Sequence, residues 1–431
     1  MHVGKNGDTA AIAERSARFV PYDRAMNESS WQYPGWRTVV ACFFVAVCSW
    51  GFGFYGHGVF LAELQRQHGW SSGLISGATT VYYLVGGVLV AFVGDVVNRW
   101  GPRHFVLAGL LALGLSAAVV PFITAPWQLY AAYILMAFGW AGTSLAAIVT
   151  ILGLWFDTRR GMAISLALNG ASTGSIIVTP AMVALTAWLG FAWAVPLTVL
   201  GMAVVLVPMV LAWVGWPPSS GPMAGRAPTS GATVPSAGWS KARALRTLAF
   251  WSVALPFALG IAAQVGFIVH QLAILEPSVG SVNASIAVAL TGVFAIGARV
   301  LLSFFVDRLN QRLTTSILLV NQAVALFAIT RTSDPLTLYI ACSAFGITVG
   351  NLITFPALIV QREFPAAAFA LVSNLATSVM GLTYAFAPGI LGVLRDATGG
   401  YTVPLYVCIA TELLAAAIVL LRAPPNSAVN A

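Results

Sequence analysis

Residues 192–214, AWAVPLTVLGMAVVLVPMVLAWV, form an apolar stretch without a charged side chain. A transmembrane helix needs about 20 mostly apolar residues, so this stretch predicts a helix that crosses a bilayer. The whole chain agrees, because 59% of its 431 residues are apolar, 8% are charged and the mean hydropathy is +0.86. Soluble domains carry roughly 25% charged residues. The sequence therefore predicts a polytopic membrane protein and argues against a soluble enzyme, a disordered chain or a nucleic-acid binder.

The apolar stretch is followed by residues 216–246, which are rich in Pro, Gly and Ser and are typical of a flexible linker. Six predicted spans precede this linker and six follow it. We number them 1–12, and they cover 38–62, 73–97, 104–124, 127–154, 161–187, 192–214, 248–275, 284–306, 314–331, 335–360, 366–394 and 402–422. The predicted fold is thus an all-α membrane protein with two pseudo-symmetric six-helix bundles. Its parts are a tail at 1–36, bundles at 37–215 and 247–422, the linker, and a tail at 423–431.

Lys and Arg residues concentrate on one side of the predicted spans. With the N-terminus inside, the outer loops hold only Arg66, Arg331 and Arg395, whereas the inner loops and tails hold most of the others. Positive residues accumulate on the cytoplasmic side of membrane proteins. We therefore expect a multi-pass protein of a bacterial-type inner (plasma) membrane with both termini in the cytoplasm. The first 30 residues lack the apolar core of a signal peptide and are interpreted as a cytoplasmic tail.

The two halves resemble each other in the positions of their charges. Arg99 follows span 2 and Arg308 follows span 8, while Arg160 and Arg362 follow spans 4 and 10 at a similar offset. Matching loops at similar offsets indicate two related halves. Many transporters are built from such repeats, and they bind the substrate near the middle of the membrane between them.

Two glycine motifs suggest soluble enzymes but lie inside predicted spans. Residues 51–56, GFGFYG, fit a dinucleotide-binding pattern, and residues 170–174, GASTG, fit a nucleophile elbow. Neither has the strand that such a site requires. We interpret these glycines, and Gly346 with Gly350, as sites of close helix packing. No Cys or His spacing indicates a metal, and the four cysteines lie in apolar runs, so we expect no cofactor, no metal site and no enzymatic activity.

The segment after span 2 carries a family resemblance. Residues 94–103, GDVVNRWGPR, resemble the loop 2–3 signature of the major facilitator superfamily, G-x-x-x-D-R-x-G-x-R, with Asn98 where that family has Asp. The resemblance implies a conformational gate that holds the halves together in the outward-facing state and releases them on switching. Its residues here are Gly94, Asp95, Asn98, Arg99, Gly101 and Arg103, with Asp307 and Arg308 in the matching loop. Anchoring of the topology by positive charge alone is the alternative.

Further segments resemble the monocarboxylate-porter and oxalate/formate-antiporter branch of that family. They are Gly35-Trp36, Gly58-Val59-Phe60, Trp70-Ser71 and the 155–163 segment WFDTRRGMA before span 5. The resemblance implies a small organic anion as substrate and an arginine on span 8 that binds its carboxylate, a place that Arg299 occupies. In monocarboxylate porters an Asp precedes this arginine by one turn and a Lys lies on span 1, but Ala295 and Tyr55 stand there. The usual proton-coupling pair is therefore absent.

Arg299 is also singled out by its position alone. It lies inside span 8, where inserting a charged side chain costs about 2.5–3.5 kcal/mol, so it should face a cavity or a partner. A guanidinium matches a carboxylate with two parallel hydrogen bonds. We expect Arg299 to bind a substrate carboxylate; snorkelling or a structural pairing is the alternative.

Other polar residues within the spans are weaker candidates. Glu412 in span 12 and His270 in span 7 are candidates for proton coupling, and a hydrogen-bonded structural role is the alternative for each. The candidate substrate-binding residues besides Arg299 are Tyr55, His57, Asn169, His270 and Tyr384. For these residues, and for Asn351 and Asn374, packing or hydrogen bonding between helices is the alternative.

The sequence as a whole predicts a secondary transporter that moves a small organic anion, in particular a monocarboxylate, by alternating access. Proton symport is the expected coupling. A carboxylate antiporter and an exporter of amphipathic or cationic compounds are the alternatives, and a membrane sensor without transport activity is a third. The expected partners are the substrate anion, protons and the lipid bilayer but no nucleic acid, and the expected functional unit is a monomer.

Overall fold

The computed structural model of the protein describes residues 28–217, 240–305, 308–365 and 368–421. Every regular element within these ranges is a helix. In the described residues, ten helices are long and apolar enough to cross a membrane. One of them, with 56 residues, contains two spans, and the 17-residue apolar helix Thr402–Ile418 is a further, shorter span. The predicted all-α fold with twelve spans in two bundles is confirmed.

The first half contains spans 1–6. Their helices are Gly35–Trp50, the π-helical segment Gly51–Tyr55 and Gly56–His68 (span 1), Ser72–Val90 and Val93–Trp100 (span 2), Pro102–Val119 with the 3-10 turn Val120–Phe122 (span 3), Pro126–Thr143 and Leu145–Trp155 (span 4), Arg160–Leu189 (span 5), and Phe191–Trp213 (span 6).

The second half contains spans 7–12. Its helices are the short Lys241–Leu245, Leu248–Ser303 (spans 7 and 8), Gln311–Arg331 (span 9), Pro335–Leu352 and Phe355–Glu363 (span 10), Phe369–Thr398 (span 11), and Thr402–Ile418 (span 12). Spans 7 and 8 are two helices that meet at a turn at Gly280, whose φ of 78° is readily adopted only by glycine. Most of the predicted linker, and Asp307, lie outside the described residues.

Local sequence explains how the helices begin and turn. The Ser71 hydroxyl accepts a hydrogen bond from the Leu74 N–H (3.2 Å) and so caps the start of span 2. Span 2 ends at Gly101, which has a φ of 81°, and Pro102 occupies the first position of span 3. Proline is favoured at this position because the first N–H groups of a helix have no partner within it.

The glycine motifs inside the spans serve close helix packing, as predicted. A Cβ on Gly174 would lie 2.8 Å from the Val47 carbonyl oxygen, and a Cβ on Gly170 would clash with the Phe43 carbonyl. A Cβ on Gly51 would lie 2.5 Å from the Val178 side chain. Spans 1 and 5 therefore pack backbone against backbone, which only small residues allow.

A matching pair of arginines reveals the relation between the halves. Arg103 at the start of span 3 donates from Nε to the Val214 carbonyl at the end of span 6 (2.9 Å). Arg312, at the start of span 9, donates from Nη1 to the Val419 carbonyl just after the span 12 helix (2.7 Å). The offset between these arginines equals that between Arg99 and Arg308. Each half thus ties its third span to its sixth in the same way.

The bundle has two opposite ends, which we call the basic face and the closed face. The basic face carries the turn at Gly101 and the loops at 156–159 and 308–310. The closed face carries the loop at 69–71, the turn at Gly280 and the loop at 399–401. The charge distribution predicts that the basic face is cytoplasmic.

Candidate functional site

Span 11 presents a continuous ridge toward span 2. Successive residues on this ridge are three or four positions apart, which places them on one side of a helix; they are Asn374, Ser378, Gly381, Ala385, Gly389, Gly392 and Asp396. Near the closed face, a Cβ on Gly392 would clash with the Ser76 hydroxyl, and the Gly389 N–H donates to the Thr80 hydroxyl (3.2 Å). This part of the ridge packs tightly on span 2.

The same ridge is exposed toward the basic face. Ser378 and Asn374 are both exposed, although their polar side chains lie within a span. On span 2, the exposed Gly87 has no neighbouring atom within 4 Å of the place its Cβ would take. Spans 2 and 11 therefore touch near the closed face and separate toward the basic face.

A carboxylate fastens the closed face. Asp396 at the end of span 11 accepts hydrogen bonds from the N–H groups of Ser72 (3.0 Å) and Gly73 (2.6 Å), and Arg395 pairs with it at 3.1 Å. Ser72 and Gly73 begin the span 2 helix, where N–H groups lack helical partners and the helix dipole favours an anion. The carboxylate thus joins the two halves.

His270 is part of this closed-face structure. Its Nε2–H donates to the Pro388 carbonyl (3.0 Å), so its neutral Nδ1 accepts from the Tyr401 hydroxyl (3.1 Å). Both ring nitrogens are therefore occupied within the second half. The structure does not bring His270 to the open space between the halves.

Spans 5 and 8 form the second contact between the halves. A Cβ on Gly292 would clash with the Ser175 hydroxyl and lie 2.7 Å from the Ser172 carbonyl oxygen. Asn169 lies one turn further toward the basic face on the same side of span 5 and is half-buried. Asn169 therefore lies where this contact ends and the halves diverge.

The orientation of Arg299 follows from the packing of spans 8 and 10. A Cβ on Gly346 or Gly350 would clash with the backbone of span 8, at Thr291 and Ala295. The N–H groups of Ile353 and Thr354 both donate to Asn351, at the break in span 10, so the Gly350 carbonyl is available to another donor. Arg299 Nε donates to this carbonyl at 2.8 Å.

Arg299 and Tyr55 belong to one site. The Arg299 side chain is half-buried, and Tyr55 lies within electrostatic range of its guanidinium, with no hydrogen bond between the two among the described residues. Tyr55 is the last residue of the π-helical segment, whose wider turn changes which side of span 1 faces its neighbours. Ser175 on span 5 also faces the Tyr55 hydroxyl.

Two tyrosines, one from each half, contact each other on the closed-face side of this site. The rings of Tyr83 on span 2 and Tyr384 on span 11 pack edge to face, with centroids 5.5 Å apart. Closer to the basic face, Gly87 on span 2 and Ser378 on span 11 are both exposed. The Tyr83–Tyr384 pair therefore forms the end of a space that opens toward the basic face between the halves.

His57 and Glu412 lie elsewhere. His57 packs inside the first half against the rings of Tyr82 and Tyr133, at centroid distances of 4.8 and 5.0 Å. Glu412 is fully buried in the second half, where the Gln322 amide, oriented with its nitrogen toward the carboxyl, donates to Oε1 at 2.9 Å. Neither side chain faces the open space.

The predicted gate residues lie at the basic face and are separated from the second half. Asp95, Asn98 and Arg99 are exposed, and within the described residues none of them makes a hydrogen bond or ion pair with the second half. A Cβ on Gly94 would meet open space, Gly101 forms the turn, and Arg103 binds Val214 within its own half. Arg308 is exposed. The gate function stays a prediction.

Two groups in this region, the Asp396 carboxylate and the Gly350 carbonyl, were not predicted from the sequence. Asp396 gave no signal because its partners lie 324 and 323 positions away in the chain. The Gly350 carbonyl was missed because sequence shows side chains rather than free backbone acceptors. The pair Gly346 and Gly350 in span 10 indicated only that another helix approaches closely there.

The model of the Major Facilitator Superfamily matches residues 41–388. The uncharacterized MFS-type transporter YcxA of Bacillus subtilis is 29% identical over 34% of this chain, and the match spans only 36% of that relative. A putative tartrate transporter of Agrobacterium vitis is 24% identical over 76% of this chain and 77% of its own length. Human monocarboxylate transporter 11 is 25% identical over 72% of this chain and 66% of its own.

Shorter and more distant similarities extend this comparison. Two tetracycline resistance proteins of Escherichia coli match about a third of this chain, at 25% and 29% identity. The crystal structure of the nucleoside transporter NupG superimposes with a TM-score of 0.69 at 13% identity, covering 90% of this chain and 100% of that one. The latter shows the fold alone. With most of its length matched by the family model and with this fold, the chain belongs to the Major Facilitator Superfamily, whose members are multi-pass membrane transporters of small molecules.

Proposed function

We propose that this protein is a secondary transporter that moves a small organic anion across the plasma membrane, with Arg299 as the anchor for a substrate carboxylate. The observation that carries the proposal is the state of the Arg299 guanidinium. Its Nε is fixed by the Gly350 carbonyl, and its two Nη groups have no hydrogen-bond partner among the described residues. A fixed guanidinium with free Nη groups binds a carboxylate without further reorganisation.

The surroundings of Arg299 favour an anion over a cation. The described residues provide no acidic side chain paired with this arginine, so its positive charge is compensated only by a carbonyl. The Tyr55 hydroxyl, on the neighbouring span 1, is the second donor that we propose for a carboxylate oxygen. A cationic substrate would be repelled from this position.

The conformation supports alternating access. The halves touch near the closed face and diverge toward the basic face, so we infer that the site is reached from the basic face. With the expected orientation, this is the cytoplasmic side and the conformation is inward-open. Transport then requires the closed face to open and the basic face to close, which is the motion assigned to the residues of the predicted gate.

The energy coupling is the finer part of the proposal. Proton symport is the mode we propose. Glu412 and His270, the proton-carrier candidates, both lie away from the open space and hold structural hydrogen bonds. Exchange of two carboxylates, which needs no proton carrier, is therefore the alternative mode. The names of the tartrate and monocarboxylate relatives agree with a carboxylate substrate in either mode.

Uptake into proteoliposomes tests the proposal. We would measure uptake of radiolabelled L-lactate, pyruvate, L-tartrate and benzoate with an imposed proton gradient and without one, and by counterflow. Replacing Arg299 by Gln removes two charge-assisted hydrogen bonds, so uptake should fall by roughly 100-fold. Arg331→Gln, at the far end of the same half, is the matched control and should leave uptake unchanged.

The outcomes separate the candidate functions. Carboxylate uptake that survives Arg299→Gln contradicts the anchor. Efflux of tetracycline or a cationic dye without uptake of any carboxylate favours an exporter, a function suggested by the short matches to tetracycline resistance proteins. Counterflow that persists without any proton-driven accumulation identifies an antiporter.

A further inference from the structure

Four aromatic rings form a continuous group at the interface between the halves. Phe54 and Tyr55 pack edge to face at 5.1 Å, Phe54 and Tyr83 at 6.4 Å, and Tyr83 and Tyr384 at 5.5 Å. We call these four residues the aromatic roof. Three of its members come from the first half and one from the second, so the roof lies across the interface at which the halves must move.

The direction of the Arg299 side chain places the roof above the anchor. Span 8 runs from the closed face to the basic face, because it follows the turn at Gly280. Side chains on a helix lean toward its N-terminus, so Arg299 leans toward the closed face and the roof. Its electrostatic interaction with Tyr55 agrees with this direction. A carboxylate held by Arg299 therefore has its organic body between the guanidinium and the roof.

The roof also offers one unused polar group. The Tyr83 side chain is 5% exposed, and its hydroxyl has no hydrogen-bond partner among the described residues. Buried hydroxyls without partners are uncommon and need an explanation. A polar substituent on a ligand under the roof would supply the missing partner.

We propose that the substrates are aromatic monocarboxylates, bound with the carboxylate on Arg299 and the ring edge to face against Tyr384 and Tyr83. This inference rests on the proposed function and narrows its substrate class. Aromatic side chains pack with one another preferentially edge to face, and the two tyrosines already adopt this geometry. An aromatic ligand continues the stack, whereas a saturated ring of the same size gains only from burial. A ring hydroxyl should add affinity through Tyr83.

Calorimetric titration of the purified full-length protein in detergent tests this inference with benzoate, cyclohexanecarboxylate and 4-hydroxybenzoate. Benzoate and cyclohexanecarboxylate carry the same charge and nearly the same size but differ in aromaticity. We expect benzoate to bind roughly fivefold more tightly, because an aromatic pair adds free energy beyond the buried area. Tyr384→Leu should abolish this preference, while Tyr384→Phe, which keeps the ring, should retain it.

A control variant and the contrary results complete the test. Tyr406→Leu removes a tyrosine on span 12 outside the roof and should leave all three affinities unchanged. Equal binding of benzoate and cyclohexanecarboxylate, with both lost in Arg299→Gln, would overturn the aromatic inference and leave the carboxylate anchor standing. Binding that survives Arg299→Gln, or no binding of any of the acids, would contradict the anchor and the inference together.

Discussion

The two ends of the interface between the halves use different chemistry. At the closed face, a full carboxylate, Asp396, accepts two N–H groups from the start of span 2. At the basic face, the position that holds a carboxylate in the family signature is occupied by the neutral Asn98. Hydrogen bonds to charged groups contribute about 1.5–3 kcal/mol each, so the closed face is fastened more strongly than the basic face can be. We therefore expect the position of this one negative charge to favour the conformation in which the closed face is joined.

The largest effect on the contact between the halves is expected from removing the Asp396 carboxylate. Asp396→Ala leaves two N–H groups of span 2 without their acceptor. The ratio of molecules with spans 2 and 11 separated at the closed face to molecules with them joined should therefore rise by roughly 100-fold. Maleimide labelling of a cysteine at Thr80, in a background without the four native cysteines, reports this opening. Asp334→Ala is the matched control, because Asp334 accepts from Thr337 within its own half. Unchanged labelling in Asp396→Ala would show that the carboxylate does not hold the halves together.

The ridge of span 11 allows the closed and basic ends of the interface to be compared by changes in packing, without a change in charge. Gly392→Leu places a side chain against Ser76 and should open the closed face, since overpacking costs typically 1–3 kcal/mol. Ser378→Leu adds a similar side chain on the exposed part of the same ridge and should not open it. Labelling at Thr80 measures both variants. Equal labelling of the two would mean that the ridge is not closed at one end and open at the other.

Restoring the family carboxylate at the basic face should have a smaller effect. Asn98→Asp adds a charge next to Arg99, at an exposed position where such interactions contribute up to about 1 kcal/mol. We expect a several-fold decrease in labelling of a cysteine at Ser378 as the basic face closes more often. Asp95→Asn, which removes a nearby charge on another side of the helix, should not reproduce this decrease.

The smallest expected effect concerns a contact that stays within one half. Glu28 accepts from the N–H groups of Asp157, Thr158 and Arg159. Although desolvation by burial raises the pKa of Glu28, these N–H groups and the Thr158 hydroxyl together lower the pKa below the usual value of 4.5. Its contribution to stability is therefore present above pH 4.5 and is lost as the pH falls through the lowered pKa.

Thermal melting at pH 7 and at lower pH tests this contact. Wild type should melt slightly above Glu28→Gln at pH 7, and the difference in melting temperature should vanish as the pH falls through the lowered pKa of Glu28. Labelling at Thr80 should be the same in both proteins. A change in labelling would show that Glu28 acts between the halves rather than within the first one.

Much of the fold follows from the sequence because few backbone structures are stable across a bilayer. Apolar length gave the spans, and the glycine pairs marked the close approaches of spans 1 and 5 and of spans 8 and 10. Arg299 was identified by the cost of a charge inside the membrane, and Tyr55 by the family resemblance, in which it stands at the position of a span 1 lysine. The roles of these residues remain proposals.

The remaining features depend on the rotation and pairing of helices, which the sequence does not show. His57 was expected near the substrate, but it lies among the tyrosines of the first half, two residues beyond the π-helical segment that alters the turn of span 1. Glu412 was a candidate proton carrier, yet it is enclosed by Gln322 and its own bundle. Asp396 acquires its role only when span 11 meets the start of span 2.

The proposed binding mode is tested by a structure of the protein with 4-iodobenzoate, whose iodine can be located by anomalous diffraction. We expect the carboxylate on the Nη groups of Arg299 and the iodinated ring beneath Tyr83 and Tyr384. An iodine position elsewhere in the bundle, with the Arg299 guanidinium turned to another partner, would contradict it.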